Sequence, residues 1–539
     1  MLGYKPKIFK LHSTLCLDNL VPQDNFYRQV EAKLDLSFVR EFVKDFYASS
    51  MGRPSIDPII FFKLHLIMFF EGIRSERKLM ETVNLSLAHR WYIGYDLDEA
   101  VPDHTSLSKI RDRYGLEVFQ RFFEQIVELC QKAGLIWGRE LYFDGTKVRA
   151  NAAVDSLEPR LEVVTQQHLQ ALFPSPQANE TEIHPINLNP RQLVNKYDGT
   201  RLLSRSTHYW YRRTTDELVS HSDPNATPMK ASNGGYAALG YHTHYVVDGG
   251  KSRIILAALV TPASVMDNTP MLDLERWVCF RWNLFPQIAV GDTKYGTVTN
   301  IVGLEQDNIR AYLPTSDLSR RTGFYSPEVF LYDADRDRYI CPEGQNLPLK
   351  VRRKSEQVLV YIADAAVCNA CPVKLKCTES KSGRHIFRSF FQNYLDRAAS
   401  YRETEVYKKA LRKRQVWVEP LFGEGKEWHG MRRFRLRGLE KVNIEGLLRA
   451  AGQNIKRLLK RRTWRNPLRP AGSAALRPTL EWAFCLSSCS GLMPVTTFST
   501  GWNIVRCVSA FSCPYLIKAH LAHSQYSGLL NIKFFYAIW

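Results

Sequence analysis

No run of apolar residues in this 539-residue chain is long enough to cross a membrane. The most apolar stretch, Pro58 to Phe70, is interrupted by Lys63 and His65 and falls short of the ~18 residues a span requires. The N-terminus, MLGYKPKIFK, has no apolar segment with a cleavage site, so no secretory leader is expected and the chain is read as cytoplasmic. Without export, the eleven Cys meet no oxidising compartment, and reduced thiols or metal ligands are expected rather than disulfides. No internal repeat is apparent. Acidic residues are also scarce relative to basic ones: 54 Asp and Glu against 73 Lys and Arg, a net charge of +19. That excess points to a polyanionic partner, most often nucleic acid.

What is present is a globular composition. Apolar residues are 45 % and aromatics 12 %, and the length suits about three or four domains of ~150 residues. Residues 1–135 read as helices: Asp35 to Phe46, a second opened by Asp57-Pro58 and running to about Gly72, a third from Ser75, and a long one over 105–133. In the last, Ile110, Tyr114, Val118, Phe122, Ile126 and Cys130 recur every four positions as an apolar face, with Asp103, Thr105 and Ser106 as N-cap candidates. Lys109, Arg111 and Arg113 fall opposite, which suits a small DNA-reading bundle or, equally, a packing domain with solvated cations.

Near residue 139 the period becomes that of strands. Glu140 to Gly145, Tyr241 to Val247, Arg253 to Val260, Gln287 to Val290 and Ile309 to Leu313 are expected strands, with a hairpin turn at Asp248-Gly249-Gly250. Asp267-Asn268-Thr269-Pro270 looks like a helix cap, and 297–308 looks helical. The order predicts an α/β fold with a mixed sheet over 136–316, with a polar excursion at 152–232. A polar segment with four Cys follows at 317–385, then a basic helical part at 386–465. Residues 401–465 read as long helix and hold 19 Lys/Arg against 7 Asp/Glu, or +12 of the total +19. Residues 466–539 contain six charged residues and no clear period, so about 465 residues are expected to form the working protein.

Two strands end on an acid: Asp144 in FDGTKVRANA and Asp292 in VGDTKYGT. One such Asp commonly just caps a turn. Two on adjacent strands could hold divalent metal for phosphoryl displacement, and Lys147 and Lys294, each within three residues, suit a phosphate-facing site. Glu419 is the best third acid. Lys426 lies two helical turns after it and Arg412 two turns before it, although a solvated charge stripe has the same spacing. Pro420 should kink the helix or start a new one at Glu419.

Six segments occur in order: VPDHTSLSKIRDR (101–113), YFDGTKVRANA (142–152), GYHTHYVVD (240–248), VTPASVMDN (260–268), VGDTKYG (290–296) and VEPLFGEGKEWHGMRRFRLRGLEKV (418–442). Together they resemble bacterial insertion-sequence transposases of the DDE class, in the insertion-sequence 1182 group, over roughly residues 15–462. The resemblance implies an RNase H-like mixed-sheet catalytic core, with Mg²⁺ (or Mn²⁺) bound by Asp144, Asp292 and Glu419. It also implies double-stranded DNA partners (element ends and target), a homodimer or higher assembly, and an N-terminal domain for DNA binding or dimerisation. The wider superfamily signature Tyr-x2-Arg-x3-Glu-x6-Lys is matched by Glu419 and Lys426. Gln415 stands at its Arg position, Arg414 lies one residue early, and the Tyr position is not matched.

Cys341, Cys368, Cys371 and Cys377 follow the pattern C-x26-C-x2-C-x5-C, which can close a tetrahedral Zn²⁺ site. A Cys-rich insertion is also similar to the family. Four reduced thiols in a loop remain the alternative, and His385 could replace one ligand. Cys16, Cys130 and Cys279 read as core. In the run Arg432-Arg433-Phe434-Arg435-Leu436-Arg437, cations would follow a DNA backbone while Phe434 packs inward. His242 and His244 share a strand face, as a metal pair or as ordinary sheet packing. Two rival functions stand beside a transposase: a non-catalytic DNA-binding descendant of one, and a stand-alone metal-dependent nuclease.

Overall fold

Five of the first seven described helices begin at a side-chain cap. The first seven are α1 (Leu17–Leu20), α2 (Phe26–Lys33), α3 (Phe38–Val43), α4 (Pro58–Phe70), α5 (Glu76–Leu85), α6 (Leu87–Ile93) and α7 (His104–Lys132). Asp57 accepts from the Ile59 amide with Pro58 in the first turn, Ser75 caps α5 and Asp103 caps α7. The apolar face of α7 is buried as its spacing predicts, but Gly115 (φ 61°, ψ −172°) breaks the helix. Arg111 departs from the expectation of a solvated or DNA-facing cation. It is 3 % exposed and bonded to Glu76.

The computed structural model describes residues 16–47, 55–159, 218–229, 238–315 and 323–461. The 466–539 tail and most of the 152–232 excursion, with the expectations attached to them, lie outside the described residues. Among the described residues no helix is long and apolar enough to cross a membrane.

The next elements are β1 (Glu140–Arg149), β2 (Leu157–Pro159), β3 (Leu218–Ser220), β4 (Thr227–Met229), β5 (Ala238–Asp248), β6 (Ile255–Pro262), α8 (Met271–Trp282), β7 (Ile288–Val290), α9 (Val298–Gln306) and β8 (Arg310–Tyr312). They form a mixed sheet in the order β6-β5-β1-β7-β8. β5 runs antiparallel to β6 and β1, while β1, β7 and β8 are parallel; β4 also pairs with β5. β7 pairs only with Glu140 to Tyr142, whereas β5 accompanies β1 as far as Arg149. Asp144 therefore lies just past the end of β7, where the chain turns through Gly291 and Asp292.

Residues 323–389 add a separate antiparallel meander: β9 (Leu331–Asp333), β10 (Arg338–Ile340), β11 (Asn346–Arg353), β12 (Val358–Ile362) and β13 (His385–Ser389). Short helices α10 (Ala365–Asn369) and α11 (Lys374–Cys377) precede β13. Its own small core comprises Phe330, Tyr339, Leu347, Tyr361, Ala363 and Ile386.

The single long helix expected over 401–465 is instead three, preceded by α12 (Gln392–Ser400): α13 (Glu405–Trp417), α14 (Glu419–Trp428) and α15 (Leu439–Lys460). Pro420 sits in the first turn of α14, so a new helix starts at Glu419 as expected. Gly430 and Gly438, both at positive φ, carry the chain on to α15.

α15 lies along the outer edge of β6. Asn443 accepts from the Val260 amide (2.8 Å) and donates to its carbonyl (2.9 Å); Asn454 does the same to Ile255 (2.9 and 2.8 Å). Eleven helical residues at 1.5 Å span ~16.5 Å, and five strand residues at 3.3 Å span the same. Residues five apart on a regular strand aim at opposite edges. The register shift between Val246 and Val247, where Ala257 and Ile255 are the partners, adds the extra residue that restores parity. Side-chain amides thus replace a neighbouring strand. Phe62, Phe119, Tyr142, Ile255 and Leu447 belong to one core, so the N-terminal helices pack on the sheet through shared apolar surface.

Candidate functional site

β1 presents Asp144 on the same face as its register partner Tyr245. The Arg414 guanidinium, reaching over from α13, donates to Asp144 Oδ2 (3.0 Å) and, through its other nitrogen, to Glu419 Oε1 (3.4 Å). This bridge exists because α13 ends at Trp417 and α14 starts at Glu419; in one continuous helix a residue five positions back would point elsewhere. Arg412 therefore does not share a helical face with Glu419. Burial pushes the Asp144 carboxyl up to about 6; Arg414 and the Gly145 amide oppose this, and Asp292 and Glu419 add to it by repulsion. The structure thus brings the three sequence-predicted acids within electrostatic reach of one another. Glu419 is the most exposed of them, its side chain 56 % accessible.

The flanking cations divide. Lys294 is held by Asp267 (Nζ to Oδ2, 2.7 Å), and this hydrogen bond raises its pKa; Asp292 and Asp144 contribute further. Its amide donates to Asp292 (2.8 Å). Burial and Arg432 lower the pKa of Lys426, and Asp144, within electrostatic reach, pulls the other way. Lys147 lies on β1 opposite His242 and is exposed.

The side-chain cap expected within Asp267-Asn268-Thr269-Pro270 does not form. The residue before α8 is Pro270, with no side-chain cap, and Asp267 instead turns to the site. Its second oxygen lies 3.1 Å from His242 Nδ1. Burial tends to raise its pKa, but Lys294 and His242 outweigh burial and hold it below the usual range. A Cβ on Gly145 would meet Asp267 Oδ1, His244 Nδ1 and Tyr295 Oη within 3.5 Å, so only glycine leaves this polar corner open beside Asp144. Burial lowers His244 to about 4, which leaves it neutral, and it bonds Thr261 (2.8 Å). The two histidines thus belong to a hydrogen-bonded corner rather than to plain sheet packing. The signal was available in the segments GYHTHYVVD and VTPASVMDN, whose polar residues had no partner that local spacing could supply.

The run Arg432–Arg437 is less free than expected. Phe434 is buried as predicted, stacked edge-on against Tyr241. Arg435 turns inward to Glu76 (2.6 Å), which also takes Arg111. Arg433 bonds Ala150 and Asn151, and Arg437 bonds Asn151. Arg432 pairs with Glu427 at the surface. Arg435 is therefore a tie between the C-terminal segment and the N-terminal helices, while Arg432, Arg433 and Arg437 stay exposed.

The four Cys of the second sheet line one cavity. Gly344 at positive φ lets the Cys341 turn close, and the Gln345 amide points at Cys341 Sγ (3.3 Å). Burial raises the Cys377 thiol; Arg384 opposes this and the other three sulfurs add to it. His385 bonds Ser382 and does not line the cavity. Among the described residues, no three or more His, Cys, Asp or Glu are gathered tightly enough to hold an ion as they stand. Mutually repelling carboxylates and mutually repelling thiols nevertheless fit a hard and a soft cation respectively.

Residues 15–113 match a family model described as a transposase domain (DUF772), and residues 340–459 match one described as a transposase DDE domain. The chain is therefore similar to transposases over both segments, and to their DDE domain over the second. The second match takes in Glu419, Arg414 and all four Cys, and neither reaches Asp144 or Asp292. No curated protein matches the chain.

Proposed function

We propose that the protein is a DNA transposase of the insertion-sequence 1182 type. In this reading Asp144, Asp292 and Glu419 bind Mg²⁺ or Mn²⁺, cleave the element end and join its 3′-hydroxyl to target DNA. The observation that carries it is that the three acids lie within electrostatic reach of one another beyond the end of β7, with Arg414 bonded to two of them. With the short β4 set aside, the strand order β6-β5-β1-β7-β8, third-second-first-fourth-fifth along the chain with only the second antiparallel, supports an RNase H-like core.

Two divalent ions in such a site supply an activated water or hydroxyl and stabilise the attacking and leaving oxygens. The chain's own groups do the rest. Asp144 must lose its proton to act as a ligand, and burial, with repulsion from Asp292 and Glu419, pushes its carboxyl up to about 6 against the pull of Arg414. Arg414, freed from the carboxylates, is placed to pair with a non-bridging phosphate oxygen. Lys294, positioned by Asp267, and Lys426 flank the same phosphate. Arg432, Arg433, Arg437 and Lys147 supply exposed charge for the DNA backbone. The four thiols would hold one structural Zn²⁺. Two protomers would bring the element ends together.

The test is purified protein with terminal-inverted-repeat DNA and Mg²⁺ or Mn²⁺, scored for cleaved and joined products. Both products support the reading. Binding without either points to a non-catalytic descendant, and cleavage without joining to a nuclease. Joining that survives Asp144→Ala, Asp292→Ala and Glu419→Ala would refute the site.

A further inference from the structure

A second basic surface lies at the other end of β1, outside the carboxylate site. An open groove of about 930 Å³ runs between the turn that precedes β1, the β5–β6 hairpin and the C-terminal half of α13. That is at the top of the ~300–1,000 Å³ range typical of ligand pockets. Its floor is aromatic and aliphatic: Trp137 is 48 % and Val416 59 % exposed, and Trp417 is fixed by its indole N–H donating to Gly250 O (2.9 Å). Its rim is cationic. Lys251, Lys409 and Arg412 are exposed there, and none of the described lining residues is acidic. Glu140, beside it, is already taken by Lys413 (2.6 Å) and the Tyr142 hydroxyl (2.9 Å). Lys413 in turn sits 5.3 Å from the Trp137 ring and 5.0 Å from the Trp417 ring.

A half-exposed indole in an acid-free basic groove fits one polyanion better than others. Duplex DNA hides its base faces, so the Trp137 face would be wasted on it. A single strand offers both phosphates and free π-faces. α13 links the groove to the chemistry: Lys409, Arg412 and Lys413 point to the groove, and Arg414 to Asp144. Four strand residues separate Glu140 from Asp144, ~13 Å, or about four stacked nucleotides at ~3.4 Å each.

We propose that this groove binds a single-stranded extension of the DNA held at the carboxylate site, with a base stacked on Trp137 and phosphates on Lys251, Lys409 and Arg412. The inference rests on the DNA-processing reading above. The experiment measures affinity of the full chain, by fluorescence anisotropy, for a blunt duplex and for the same duplex carrying oligo-dT extensions shorter and longer than about four nucleotides. Extensions long enough to reach should tighten binding about tenfold, and short ones should not. Trp137→Ala and Arg412→Ala should each remove most of that gain without changing the affinity for blunt duplex, and Trp137→Phe should keep most of it. An extension without effect, or a gain that survives both Trp137→Ala and Arg412→Ala, overturns the proposal and leaves the DNA-processing reading intact. Failure to bind even blunt duplex at low salt overturns both.

Discussion

On the large sheet, three carboxylates meet with a guanidinium already bonded to two of them. Beside the small sheet, four thiols share a cavity, and among the described residues no side-chain cation is bonded to a sulfur. The first cluster rides on a core that runs from α2 to α15. The second has six buried core residues for its whole meander. A core that small does not hold a domain without a staple. The contrast teaches what a metal would do in each place: at the carboxylates it would serve chemistry on a scaffold that stands without it, and at the thiols it would serve folding.

The largest expected effect attacks the first half of that contrast. Asp144→Asn should lower cleavage and joining by on the order of 10³-fold or more. It should change stability by less than about 1 kcal/mol, because ionised Asp144 is disfavoured by burial in the folded chain. Product gels and thermal melts check this together, and a large loss of stability would mean that the carboxylate is structural. The second expectation attacks the other half. Chelation, or Cys371→Ser, should raise hydrogen exchange across 323–389 while leaving β1, β5 and α7 protected, since structural zinc contributes ~10 kcal/mol or more of folding energy in small modules. Metal analysis showing no zinc, or exchange unchanged by chelation, would erase the distinction.

Smaller effects sharpen the picture of the large sheet. Asn443→Ala and Asn454→Ala each strand a buried amide and carbonyl, and each should cost about 1–3 kcal/mol in denaturant melts. Acid gives the smallest. Glu76 is pushed up by burial but held below its ordinary value by Arg111 and Arg435; Glu424, likewise opposed by burial, is held down by His429, Lys456 and Arg457. For a carboxyl depressed on folding, the stabilisation is present above its unfolded value and is lost as pH falls through the folded one. Melting temperature should therefore drop progressively on acidification below about pH 4.5, and Glu424→Gln should flatten that slope. A slope unchanged by the substitution would show that Glu424 contributes nothing to it.

Legibility followed locality. Asp57, Ser75, Asp103 and Thr297 cap the helices they precede because a cap is settled within three residues, and five of the six strands of the main sheet are visible as apolar runs between turns; β4, inside the polar excursion, is not. The small meander is not, since residues 317–385 read as one polar segment around four Cys, although β12 (VLVYI) is an apolar run within it. Asp144, Asp292 and Glu419 could be picked out singly. Arg414 as their bridge could not, because its reach depends on the helix break at Val418. Arg111, Arg435 and Asp267 were misjudged for a shared reason: each is a charged residue whose partner is distant in sequence, so local spacing offered only the surface or a cap as its place.

The asparagine-lined edge of β6 also has a consequence in time. Asn454 follows Pro262, the end of β6, by 192 residues (454 − 262), which a ribosome adds in about 10–40 s at ~5–20 residues per second. Throughout that interval the nascent sheet has an open side, with the Ile255 and Val260 backbone groups available to any passing strand. A chain interrupted before α15 would keep that side open for good and would be prone to aggregate rather than to persist as a half-built enzyme. The helix α15 thus acts as a seal, applied only after Glu419 has been synthesised.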